Sequence, residues 1–268
     1  MTLAEVARAA LFGTVIGMVS MATVSLYLHR GLTHAGLEFT RLGRGVFRTT
    51  TWLLIGTTPR KWIAVHRKHH RFADTGEDPH SPHNFERFGV ARIFFGMALE
   101  YNRSVRTPDE VQRYAPDYEP DGFDRLVFSH GPIGLALFYA LVTVAFGPLG
   151  ALVVLGFHFV TFYASQGAVN SLGHWPADQD ESDKSTNHRV LVWVTMGESL
   201  HRNHHAHPRS PSLEFAGKQV DPGWRLARIL MKLRLLHVSR GGLKAMRRAK
   251  EAPAPTQERQ LVPGMGTA

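Results

Sequence analysis

The sequence predicts an all-α integral membrane protein: about three transmembrane helices, further helices lying at the interface, and a cytosolic, histidine-rich cap. Three observations carry this reading. Residues 9–28 hold no charged side chain, and neither do the 52 residues 126–177. Nine of the 16 histidines stand in four clusters bordering those stretches.

The elements follow in order. The run 9–28 (AALFGTVIGMVSMATVSLYL) has 20 residues, and at about 1.5 Å per residue it spans a hydrocarbon core of about 30 Å. It lacks the basic start and small-residue cleavage site of a signal peptide, so it is expected to be retained. Segment 46–65 carries Arg48, Pro59, Arg60 and Lys61, which leaves its uncharged run too short to cross. It is expected to lie at the interface as a partly apolar helix, as is 88–99. The long uncharged block divides at Gly147-Pro148-Leu149-Gly150 into spans 126–147 and 149–172, an antiparallel hairpin. The polar tail 249–268 reads as disordered. Residues 1–248 then form one membrane-embedded domain whose cap is built from 29–125 and 173–248.

Charge orients it. The chain has 31 Lys and Arg against 22 Asp and Glu, a formal +9, and its mean hydropathy of -0.14 resembles that of a soluble basic protein. The average misleads. Three crossings put Arg8 alone on the face with residues 1–8 and the 147–150 turn, leaving 30 of the 31 on the other. The positive-inside rule makes that second face cytoplasmic, with the N-terminus outside, as in a bacterial inner membrane. The basic charge beside spans, without a nucleic-acid motif, argues against a nucleic-acid partner. The absence of cysteine excludes disulfides, iron–sulfur clusters, thiolate zinc sites and cysteine nucleophiles.

The clusters are His29-Arg-Gly-Leu-Thr-His34, His66-Arg-Lys-His69-His70, Asn170-Ser-Leu-Gly-His174 and His201-Arg-Asn-His204-His205. In HxxHH, positions i, i+3 and i+4 share one helix face, so three imidazoles address one place. The topology brings all four clusters to the same membrane face. Nine nitrogen ligands exceed the four of a single zinc and point to two metals with five and four, leaving positions for water or O2. Imidazole suits iron, zinc, copper and nickel alike. Carboxylates near the clusters are candidates to orient the rings: Asp78, Asp183 and Glu198 foremost, then Asp74, Glu77 and Asp180. His130, His158, His188, His207 and His237 read as structural or solvated; His80 and His83, in DPHSPH, could support the metal ligands from behind, but read first as loop residues.

With the motifs HRGLTH, WIAVHRKHH followed by EDPHSP, NSLGH, DKSTNH and GESLHRNHH, the chain resembles the membrane-bound fatty acid desaturases. The likeness is to the acyl-CoA, stearoyl-type Δ9 branch, as a short bacterial-type member, and covers about residues 20–240. The resemblance implies two irons. One would take His29, His34, His66, His70 and His205; the other His69, His174, His201 and His204, with Asn170 behind a water. It implies O2 as co-substrate and a cis double bond formed in a saturated acyl chain, with acyl-CoA as carrier. Trp62, four residues before the second box, matches a family tryptophan that shapes the bend of the substrate channel. Gln166 stands where threonine is common, and Ala64-Val65 where animal members carry an Arg-Asp pair that helps bind CoA. With no cysteine and no segment reading as haem or flavin domain, electrons are expected from a separate ferredoxin or cytochrome with its reductase. Two alternatives stay open: a di-iron hydroxylase of a lipid or alkyl chain, and a non-enzymatic histidine-rich membrane metal binder. The latter calls for ionisable groups deep in the spans, where only His158 lies.

Overall fold

The computed structural model describes residues 1–78, 80–85, 88–175, 184–215 and 219–252. Helix α1 (Leu3–Thr33) starts six residues before the uncharged run, because Thr2 and Glu5 form a reciprocal capping box that fixes its first turn. From Val24 to Thr33 it widens into π winding. There the backbone bonds from i to i+5, as from the His34 N–H to the His29 carbonyl at 3.1 Å. A strand β1 (Leu37–Phe39) follows, then α2 (Arg41–Thr50) and a π turn over Thr51–Ile55.

The expected single helix over 46–65 is therefore two. Gly56, at φ 70°, ends the first piece in a left-handed cap, and Pro59 opens α3 (Pro59–Phe72), where its missing N–H costs nothing. The expected segment 88–99 becomes α4 (Gly89–Ser104). Helix α5 (Pro108–Tyr114), held by a Thr107–Glu110 capping box, packs on α3 around Ile63, Ala64, Val65, Val105 and Ala115.

Helix α6 runs nominally from Gly131 to Leu172, but Gly147 sits at φ 69°, ψ 170° with Pro148 behind it. Tyr139 Oη lies 2.6 Å from His158 Nδ1, 19 residues away; a straight helix would separate them by about 28 Å. The two arms thus fold back antiparallel, as the Gly-Pro turn predicts. The first arm begins at Gly131 rather than 126 because Asp124–Phe128 winds as a separate turn. α1 packs on the second arm through its glycines. A Cβ on Gly13 would lie 2.5 Å from the Val154 carbonyl oxygen, and one on Gly17 2.6 Å from Thr161 Cβ. Small residues let apolar helices approach this closely. Among the described residues two elements, α1 and α6, are long and apolar enough to cross a membrane.

Helix α7 (His201–Ala206) is short. Helix α8 (Pro222–Lys232) is capped by Asp221, and β2 (Leu236–Val238) pairs antiparallel with β1, Leu37 opposite Val238. This short ribbon is added to an otherwise helical fold, and a core of Val24, Leu26, Tyr27, Leu28, Leu37 and Leu236 buries one face of each strand. Helix α9 (Arg240–Glu251), capped by Ser239, carries through residues 249–251, which the expected tail of 249–268 had included. Residues 253–268 lie outside the described residues.

Candidate metal centre

Four segments deliver the nine histidines to one place: the π-wound end of α1, the last turns of α3, the end of α6 and α7. The winding matters for the first. His29 and His34 are five residues apart, far round an α-helix, but the i+5 repeat stacks them with ring centroids 5.0 Å apart. The ring nitrogens of the nine fall into two groups. His29, His34, His66, His70 and His204 form one group; His69, His174, His201 and His205 form the other, with potential ligand atoms within 4.8 Å of one another. This exchanges His204 and His205 relative to the assignment implied by the resemblance. The reason is helical. In both HxxHH boxes the i, i+4 pair stays together, His66 with His70 and His201 with His205, while the i+3 ring crosses to the opposite group.

The spacing fits metals. Nε2–Nε2 separations are 3.0 Å for His29–His204, 2.8 Å for His70–His204 and 3.1 Å for His66–His70. In the second group they are 3.0 Å for His174–His201, 3.2 Å for His201–His205 and 3.3 Å for His69–His205. Two imidazoles each about 2.1 Å from one ion, at right angles, hold their nitrogens about 3 Å apart. His34 Nε2 is buried and, among the described residues, has no hydrogen-bond partner, as suits a nitrogen that ligates a metal. Burial first, then neighbouring imidazoles, pushes the pKa of His34, His66, His201, His204 and His205 well below the ordinary value. These rings are neutral, the form that binds a metal.

Carboxylates hold the other ring nitrogen of three of these histidines. Glu198 Oε2 lies 2.7 Å from His29 Nδ1, Asp78 Oδ2 2.9 Å from His69 Nδ1, and Asp74 Oδ2 2.8 Å from His174 Nδ1. Each clamp leaves Nε2 to face the centre. Burial opposes the charge on Asp78 and Glu198. His69 on the first, and His29 and Arg30 on the second, nevertheless keep both below the usual carboxylate range. Glu77 is exposed and turns away, its backbone bonded to Thr75. Asp180 and Asp183 lie outside the described residues.

Sequence reasoning missed Arg30 here and set His80 and His83 aside as loop residues. Arg30, counted among the cytosolic charges, is only 1% exposed. Its Nε donates to Glu198 at 3.0 Å and its terminal nitrogens to Asp221 at 2.7 and 3.1 Å, with the Pro211 and Met196 carbonyls completing the set. His80 is buried and stacks on His69, centroids 4.4 Å apart, and its backbone N–H donates to Asp78 Oδ1. His83 donates from Nε2 to the His174 carbonyl. Their placement directly after Asp78 in EDPHSPH was the available signal.

A cavity of about 600 Å³ opens beside the first group, with Trp62, His66, His80, Gln166 and Asn170 on its wall. Trp62 stacks on His66 at 5.0 Å and 18° and forms part of the cavity wall. Gln166 donates to Met21 Sδ, and Asn170 donates to the Gln166 carbonyl at 3.0 Å and to Met97 Sδ. Leu155, Phe159 and Phe162 line the cavity deeper down. There His158, bonded on one side to Tyr139 and on the other to Ser20 at 2.9 Å, joins α1 to both arms of α6. His188, expected to be structural, is bonded to the Leu172 and Trp175 carbonyls.

A family model described as fatty acid desaturase matches residues 6–216. The chain is 28% identical over 217 residues to a Delta-9 desaturase-like 2 protein of Arabidopsis thaliana, covering 80% of this chain and 71% of that one. It is 30% identical over 232 residues to an acyl-CoA 5-desaturase of Anemone leveillei, covering 83% and 68%. An icosanoyl-CoA 5-desaturase of Limnanthes douglasii is 28% identical over 218 residues, 79% of this chain and 59% of that protein.

Proposed function

The chain belongs to the fatty acid desaturase family, and on that premise we propose that it is an O2-dependent di-iron acyl-CoA desaturase forming a cis double bond at position 9 of a saturated chain. One observation supports this most: two groups of five and four imidazoles converge beside a deep, largely apolar cavity. Iron bound there supplies the oxidation of unactivated C–H bonds by O2, which no acid, base or nucleophile of the chain can perform.

The residues do the rest. Nitrogens of His29, His34, His66, His70 and His204 would hold one ion and those of His69, His174, His201 and His205 the other, with Asn170 reaching one through water. Glu198, Asp78 and Asp74 fix the rings. Trp62 and Gln166 shape the wall that presents one C–C bond, and an acyl chain filling the largely apolar cavity would exclude water from the reacting carbons. Removing two hydrogens from the chain while reducing O2 to two waters takes two further electrons and two protons. A separate ferredoxin or cytochrome with its reductase delivers those electrons to the capped face. α1 and the two arms of α6 make three crossings, with the N-terminus outside and the cap in the cytosol. The relatives named for acyl-CoA substrates support the carrier.

The test incubates iron-loaded protein in lipid with ferredoxin, its reductase, NADPH, O2 and stearoyl-CoA, and locates any double bond by mass spectrometry. A 9-alkene is expected. A hydroxylated chain without alkene would replace this reading with a lipid hydroxylase. No oxidised chain, with metal only loosely held, would leave a metal-binding protein.

A further inference from the structure

We propose that α2 and α8 form an in-plane collar that binds the anionic phospholipid headgroups of the surrounding bilayer. The inference rests on the reading that α1 and α6 cross that bilayer. It begins with charge: nine Lys and Arg and not one Asp or Glu fall between residues 222 and 250. On α8, Arg225, Arg228 and Lys232 stand at i, i+3 and i+7, one line along the helix, and all are exposed. Ile229 and Leu233, four apart, make a second line beside it, 55% and 63% exposed. Among the described residues none of these cations, nor Arg234, forms an ion pair.

Packing sets the depth. The inner face of α8 places Ala227 in the same core as Val24, Leu26 and Tyr27 of α1, with Leu226, Leu230 and Met231 packed against it. Tyr27 stands six residues before the end of α1, about 9 Å along it, so α8 lies against the apolar part of the span rather than above it. α2 is built likewise. It buries Phe47 in the same core and exposes Leu42 and Val46, with Arg41 exposed at its start. The two helices meet at one turn. The Thr40 N–H donates to the Leu235 carbonyl at 3.0 Å, and a Cβ on Gly43 would lie 1.9 Å from that oxygen.

Paired cationic and apolar lines at the rim of a span are the pattern of a helix lying among headgroups: aliphatic side chains enter the acyl boundary while guanidinium and ammonium groups meet phosphate. An acidic protein would match the cations but leave Leu42, Val46, Ile229 and Leu233 without a partner. The lipid surface accounts for both lines, and it is continuous with the surface the spans already occupy.

The absence of cysteine makes the test clean, since any cysteine introduced is the sole labelling site. Leu42→Cys and Leu233→Cys report the collar, Leu152→Cys the exposed flank of α6, and Glu77→Cys the cap. Each full-length protein carries a polarity-sensitive fluorophore in nanodiscs of phosphatidylcholine alone or mixed with phosphatidylglycerol. Emission from 152 should be blue-shifted in both lipids and that from 77 aqueous in both. Emission from 42 and 233 should shift to the blue as phosphatidylglycerol increases. Adding Arg225→Gln, Arg228→Gln and Lys232→Gln should abolish that dependence at 233. Emission at 42 and 233 as aqueous as at 77, or equally blue in both lipids, overturns the proposal. So does a response at 233 to added ferredoxin but not to phosphatidylglycerol, which assigns the surface to an acidic protein. Aqueous emission from 152 would instead overturn the spanning premise, and with it the collar.

Discussion

Replacing Arg30 by Met tests how the centre is held from behind. The guanidinium spends its donors on Glu198, Asp221 and two carbonyls, and the side chains of Arg30, Glu198 and Asp221 are 1%, 3% and 0% exposed. Methionine keeps an unbranched apolar stem as far as the Nε position but leaves two buried carboxylates without their cation. Breaking a buried ion pair from one side costs about 3–5 kcal/mol, so Arg30→Met should lose at least that much stability, read by denaturant unfolding in lipid. The effect has a second reach. Glu198 also clamps His29 Nδ1, and loosening such a clamp lowers metal affinity by about 10- to 100-fold. The counter-experiment removes the stranded charges as well. Arg30→Met with Glu198→Gln and Asp221→Asn keeps oxygen acceptors for the His29 ring and for the Trp224 N–H that Asp221 caps, and should recover most of the loss. A single variant within about 1 kcal/mol of the parent, or a triple variant no more stable than the single one, would refute the reasoning.

Three further outcomes are expected. His205→Ala cuts the smaller group from four rings to three, whereas His204→Ala leaves four in the larger; iron per chain, by elemental analysis, should fall further in His205→Ala, and equal losses would contradict the sorting. The metal-free protein should lose stability as pH falls below about 6.5. The buried rings of His34, His66, His201, His204 and His205 stay neutral when folded, whereas the unfolded chain takes up protons there. Asp78 and Glu198, lowered in the fold, add stability above the ordinary carboxylate range and surrender it only in stronger acid. Melting temperatures of the metal-free protein that stay level from pH 7.5 to 5 would refute this. Finally, His158→Ala opens the lower end of the cavity where Ser20, Tyr139 and His158 meet, and should shift turnover toward longer saturated chains. An unchanged chain-length profile at retained activity would show that this end does not meet the substrate.

Much of this was legible in the residues. Uncharged runs located α1 and α6, Gly147-Pro148 located the reversal, and the HxxHH spacing gathered the rings, because each signal is local. What stayed hidden was either non-local or a departure from regular geometry. Arg30 looks like one more cytosolic charge until Glu198 and Asp221 arrive from 168 and 191 residues away. The β1–β2 pairing joins Glu38 and His237, and three-residue strands carry too little alternation to announce themselves. The π winding that aligns His29 with His34 has no marker in HRGLTH. The exchange of His204 and His205 is different in kind: the i, i+4 rule contained it, and position-by-position transfer from the resemblance overrode that rule.

The crossing-over of the i+3 rings has an outcome for assembly. His204 leaves its own helix to join His70 across 134 residues of chain, and His69 leaves α3 to reach His205 across 136. Neither group can therefore be completed by one local stretch, and a nascent chain has no finished pocket until α3 and α7 have docked. An ion seated in either group pins both helices at once and prepays the ordering needed by the other. Occupancy should then be nearly all-or-none, with empty and doubly loaded chains outnumbering singly loaded ones throughout an iron titration.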